Sequence, residues 1–138
     1  GEVQQIGRPI DVFARPNSVD VAAFIGSPPM NLIPTRYVNG VVRIGGRDFP
    51  TSHSEPGEKD VIVGIRPSAV RLSSTGAAAR VELVEHLGDA AVLDLDVQGQ
   101  RMRARVGDEN VPHEGDQVFV SARADDIHLF DAATRKRL

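Results

Sequence analysis

Alternation of apolar and polar residues through positions 91–106 constrains this chain most. In Ala91-Val92-Leu93-Asp94-Leu95-Asp96-Val97, one face carries Ala91, Leu93, Leu95 and Val97, while Asp94 and Asp96 point away. After the turn Gln98-Gly99-Gln100, Arg101, Arg103 and Arg105 alternate with Met102, Ala104 and Val106. Side chains two apart share one face of a strand, so both segments read as half-buried strands of one hairpin. Val118, Val120 and Ala122 continue the period. Asn39-Gly40, between Leu32–Val38 and Val41–Ile44, is a second hairpin signal, because both residues accept the positive φ of a tight turn. Gly45-Gly46 turns the chain again before Arg47–Phe49. Thr51–Asp60, polar and holding Pro56-Gly57, reads as a loop, and Val61–Arg66 as a strand stopped by Pro67. Many short strands with glycine turns indicate an all-β fold, a small barrel or sandwich.

The first thirty residues follow a different pattern. Glu2–Ile6 is a short strand candidate. Pro9–Arg15 reads as a helix with proline in its first turn, stopped by Pro16. Asn17 or Ser18 can cap a second helix, Val19–Ile25, which Gly26 and Pro28-Pro29 end. This is too little to fold alone and reads as the tail of a larger unit. The expected organisation is therefore a linker at 1–29 and a β region at 30–138, with a subdomain break near 73–76.

Charge and residue types remove several classes of chemistry. Sixteen basic and nineteen acidic residues give a formal charge of −3, whereas a general nucleic-acid binder carries a basic excess. Aromatics are 4% of the chain and none lies beside the Arg101–Arg105 stripe, so base stacking has little to work with. There is no cysteine, which excludes disulfides, thiolate catalysis and cysteine-ligated zinc. No apolar run approaches the ~20 residues of a membrane-spanning helix, and the opening residues do not read as a secretory leader.

Neither lysine, Lys59 nor Lys136, belongs to G-x-x-x-x-G-K-[ST], so nucleotide hydrolysis by this stretch is not expected. His53, His86, His113 and His128 show no helical i, i+4 pairing and no H-E-x-x-H; they read as exposed or singly hydrogen-bonded residues, with no metal site. No serine sits in G-x-S-x-G. Asp94 and Asp96 stand across the hairpin from Arg101, Arg103 and Arg105. Cross-strand ion pairs on a solvated face account for both sets, the alternative being an anion-binding or partner-binding face.

Several segments together resemble one family. They are Gln5-Ile6-Gly7-Arg8-Pro9, Arg15-Pro16-Asn17, the run from Val21 to Gly26 followed by Ser27-Pro28-Pro29-Met30-Asn31, Val63-Gly64-Ile65-Arg66-Pro67, Val84-Glu85-His86-Leu87-Gly88 and His128-Leu129-Phe130-Asp131. In this order the chain resembles the C-terminal regulatory (TOBE) region of the ATP-binding subunit of carbohydrate-type ABC importers, the maltose, glycerol-3-phosphate and trehalose group. The resemblance implies tandem small OB-like β-barrels following an ATPase domain. It also implies a regulatory and dimerisation role rather than catalysis. ATP and magnesium would bind upstream, with no cofactor in this stretch.

The partners implied are a second copy, transmembrane permease subunits reached through the ATPase domain, and a cytoplasmic regulator. The implied location is cytoplasmic, at the inner face of the membrane. Candidate regulatory or dimer-interface residues are Arg66, Pro67, Glu85, His128, Phe130 and Asp131. Arg101, Arg103 and Arg105 are the candidate anion or partner face. The family motif continues Arg-Pro-Glu, and Ser68 here replaces the acid. Two rival functions are an oxyanion-binding barrel, with Ser121, Arg123 and the arginine stripe as donors, and a single-stranded nucleic-acid binder.

Overall fold

The computed structural model describes residues 15–24, 26 and 28–138. The strand expected at 2–6 and the helix expected at 9–15, apart from Arg15, lie outside them. Helix α1 is Val19–Phe24. Ser18 is its cap: the side-chain oxygen accepts the Val21 N–H at 3.3 Å, and its carbonyl accepts that of Ala22 at 3.0 Å.

Ten antiparallel strands follow: β1 Asn31–Val38, β2 Val41–Ile44, β3 Arg47–Pro50, β4 Glu58–Ile65, β5 Arg71–Ser73, β6 Ala77–His86, β7 Ala90–Val97, β8 Gln100–Gly107, β9 Gln117–Ser121 and β10 His128–Asp131. They form two sheets, ordered β10-β4-β1-β2-β3 and β5-β9-β6-β7-β8. The all-β expectation holds, and the strands build the sheets of small OB-like barrels. The chain passes from the first sheet to the second through a 3-10 turn, Pro67–Ala69, and β10 later returns to the first.

The turns read from sequence form as their chemistry requires, Gly45-Gly46 among them with φ of 57° and 78°. Asn39 and Gly40 take φ of 46° and 90°, and Gln98 and Gly99 take 53° and 88°, each a two-residue hairpin turn. The inward faces then meet in one core. Ile33, Tyr37, Val42 and Val63 of the first sheet pack with Leu93, Leu95, Met102 and Val120 of the second. Each such side chain contributes roughly 1.5–3 kcal/mol on burial.

The structure departs from the sequence reading at three elements. Strand β4 begins at Glu58, inside the expected loop, because Arg36 on β1 pairs with Asp60 at 2.9 Å and Glu58 at 3.5 Å, drawing a charged segment into the ladder. Strand β6 is the longest, yet its period breaks at a bulge between Val81 and Leu83 that changes which side chains face inward. Strand β10 is only four residues long, and the sequence pattern does not mark it as a strand.

Candidate functional site

Three family landmarks distant in sequence converge at the β4–β10 end of the first sheet. Gly64 lies opposite His128 on one side and Leu32 on the other. A Cβ on Gly64 would meet the Met30 sulfur and a Phe130 ring carbon, so an added methyl has to push those side chains aside where they close over the strand. Met30 and the fully buried Phe130 then receive Val19 and Ala22 of α1, which docks the helix on the sheet.

Arginines surround this cluster. Arg137 lies over the Phe130 ring, 5.3 Å from its centroid, and its Nη2 donates to His128 Nδ1 at 3.0 Å. Burial, then the charges of Arg137, Arg66 and Arg15, push the His128 imidazole down to about 4, against a smaller opposing effect of Asp126. At neutral pH His128 is therefore an uncharged acceptor. Arg66 is 7% exposed, and burial lowers the pKa of its guanidinium. Its carbonyl accepts the Ala69 N–H at 2.9 Å, while the buried Pro67 occupies the first position of the 3-10 turn.

Asp131 shapes the turn that follows β10. Its Oδ1 accepts the backbone N–H groups of Ala133 at 2.8 Å and Thr134 at 2.9 Å, and its Oδ2 meets Lys59 Nζ at 3.0 Å. The Thr134 N–H, then Lys59, then the Ala133 N–H hold this carboxyl down at about 2.

The second locus is the outer face of β6, β7 and β8. Register places Leu83, Asp94 and Arg103 in one cross-strand row and Glu85, Val92 and Arg105 in the next. Arg103 Nε meets Asp94 Oδ1 at 3.0 Å, which is the cross-strand ion pair expected from sequence. Arg101 lies opposite Asp96, whose Oδ1 instead accepts the Gly99 N–H at 2.8 Å and holds the turn. Leu83 and Leu87 are 54% and 42% exposed and line an open groove of about 400 Å³ with Pro28, Pro29 and Val92. Among the described residues, no three His, Asp or Glu side chains come together as a metal set.

The candidate residues thus divide between two places. Arg66, Pro67, His128, Phe130 and Asp131 gather at the β4–β10 end, with Arg66, Pro67 and Phe130 buried within the protomer. Glu85 stands apart, on the outer face with Arg101, Arg103 and Arg105. Sequence reasoning missed Asn31 as a connector: its Nδ2 donates to the Ile65 carbonyl at 3.0 Å and to the Arg103 carbonyl at 2.8 Å, joining the sheets. It also missed Arg137. Asn31 was visible only as the last residue of a quoted motif, and nothing local marks Arg137.

Comparison with known proteins agrees with this architecture. Residues 63–130 match the TOBE domain family, and residues 26–70 match the MalK OB fold domain family. The sn-glycerol-3-phosphate import ATP-binding protein UgpC 2 of Agrobacterium fabrum is 35% identical over 145 residues, covering 100% of this chain and 39% of that protein. UgpC 2 of Rhizobium johnstonii is 39% identical over 144 residues, covering 99% of this chain and 39% of that protein. The chain thus spans about two-fifths of the length of these relatives. The region matched is their regulatory part, and this chain carries no ATPase motif.

Among solved structures, the cytoplasmic molybdate-binding protein ModG, with molybdate bound, superposes with a TM-score of 0.62 at 16% identity, covering 72% of this chain and 94% of that one; the likeness is one of fold. Among the described residues, no helix is long and apolar enough to cross a membrane. The two domain matches run from 26 to 130, and the chain belongs to the TOBE and MalK OB-fold family, as the regulatory region found in import ATP-binding proteins.

Proposed function

We propose that this chain is the regulatory and dimerisation module of the ATP-binding subunit of an ABC importer for sugars or related solutes such as glycerol-3-phosphate. The observation that carries the reading is the pair of overlapping domain matches, together with alignment of the whole of this chain to about two-fifths of import ATP-binding proteins. ATP and magnesium bind in an upstream domain, which also meets the transmembrane permease subunits at the cytoplasmic face of the membrane. Barrel-to-barrel contact tethers two ATPase domains and raises their effective concentration for closure around ATP. A cytoplasmic regulator that prefers the open dimer inhibits by linkage.

Sedimentation equilibrium on the 138-residue chain tests the tether. The reading expects a reversible monomer–dimer equilibrium at high micromolar concentration; a strictly monomeric species there contradicts it. Oxyanion binding is the second reading, brought forward by the fold shared with molybdate-binding ModG. Titration calorimetry with molybdate, tungstate and sulfate separates the two. The importer reading expects no heat, and saturable heat with one equivalent of anion replaces it with the second.

A further inference from the structure

Beyond β10, the last residues of the chain lie between the first sheet and the segment leading into α1, hydrogen-bonded to both. Towards the sheet, Leu138 donates its N–H to the Leu129 carbonyl at 3.1 Å, Asp131 donates to the Lys136 carbonyl at 2.8 Å, and Arg137 bridges to Phe130. Towards the helix, Arg137 donates its N–H to the Asn17 carbonyl at 2.7 Å, Val19 donates to the Arg135 carbonyl at 2.9 Å, and Ser18 bridges to Lys136. The segment therefore works as an added strand, with the sheet on one edge and the incoming chain on the other.

Side chains reinforce both edges. Arg137 Nε donates to the Pro16 carbonyl at 2.8 Å while the same guanidinium reaches His128 and covers Phe130. One residue thus grips the incoming chain, β10 and the apolar cluster beneath α1. Arg135 adds an ion pair to Asp20 of α1 at 3.3 Å. The turn that presents this segment is fixed by Asp131 through Ala133, Thr134 and Lys59.

We infer that residues 131–138 form a strap that locks α1 and the chain entering it onto the barrel, making helix and barrel one rigid unit. The inference rests on the importer reading for its consequence. A tether passes a regulatory displacement to an upstream domain only if the connection is stiff; a flexible linker dissipates it. The strap supplies that stiffness, and Arg137 is its positioning residue.

Amide hydrogen exchange on the 138-residue chain, wild type against Arg137→Ala, tests the strap. The substitution leaves Val19 and Ala22 packed on Met30 and Phe130, so it separates the strap from apolar docking. The amides of Val19 and of residue 137, which donate to the Arg135 and Asn17 carbonyls, are expected to exchange about tenfold faster or more, as local opening replaces a locked contact, with Val63 and Leu93 unchanged. Unchanged exchange at Val19 in a folded variant overturns the inference, since packing alone would then hold the helix.

If Arg137→Ala also loosens Val63 and Leu93, Arg135→Gln carries the test, because it removes the exposed strap-to-helix ion pair and leaves the first turn of α1 unchanged. A rise of about twofold confined to Val19 is then expected, and no rise overturns the inference. Sedimentation of the wild-type chain is read separately: a monomer sinks the importer reading without altering the exchange result.

Discussion

Asn31 Oδ1 accepts the Arg103 backbone N–H at 2.7 Å while Asn31 Nδ2 donates to the Arg103 carbonyl at 2.8 Å. One side chain on β1 thereby satisfies both backbone groups of a residue on β8, the outermost strand of the second sheet. It acts as one more rung of a ladder and helps close an edge that would otherwise invite strand pairing. Asn31→Ala removes both bonds, together with the one to the Ile65 carbonyl, and uncovers those two edge groups. The expected loss is about 1–3 kcal/mol, measured by urea unfolding, and Asn31→Asp gives a comparable loss because the donor is gone.

Gly64→Ala forces a methyl group against Met30 and Phe130. An overpacked core of this kind loses roughly 1–3 kcal/mol. Met30→Ala alone leaves a cavity and loses about 2–5 kcal/mol. The double variant relieves the clash, so its loss falls short of the sum of the two single losses; additive values would show that Met30 is not the residue Gly64 accommodates.

His128 makes stability depend on pH with a definite sign. The imidazole takes a proton near 6.5 in the unfolded chain and near about 4 in the folded one. Between those values the unfolded state binds more protons, so stability is complete above 6.5 and falls as the pH drops towards 4. Allowing for partial exposure, the fall is ~1–3 kcal/mol. His128→Gln keeps an acceptor for Arg137 and flattens this part of the curve. Asp131 adds a second fall at lower pH, between 3.8 and about 2.

The Asp94–Arg103 pair lies on a solvated face, with Arg103 about half exposed. A double-mutant cycle to alanine is expected to give a coupling of about 0.2–1 kcal/mol that shrinks in high salt. Neither partner is buried as Leu93 is on the opposite face of the same strand. A coupling several times larger would therefore mean that the arginine stripe is more than a solvated surface.

What could be read from the sequence depended on how local its cause was. The β7–β8 hairpin and the Asn39-Gly40 turn were legible because period and turn residues sit side by side. Strand β6 was not, because the bulge between Val81 and Leu83 breaks the alternation that would announce it. The first residues of β4 were hidden because their strand character comes from Arg36 across the ladder. Met30, Gly64 and Phe130 were each recognisable as parts of family motifs, but their mutual contact depends on β4 and β10 pairing across more than sixty residues of chain. Arg137 reaches Pro16 from the far end of the chain, and no local pattern encodes such a bond.

The central claim is that this module is the regulatory tail of an importer ATPase. Mass determination of the native gene product, with peptide sequencing upstream of Gly1, tests it most directly. The account predicts a longer chain, of the length of its UgpC relatives, carrying G-x-x-x-x-G-K-[ST] before this segment. A native product of 14.9 kDa ending where this chain does would contradict it.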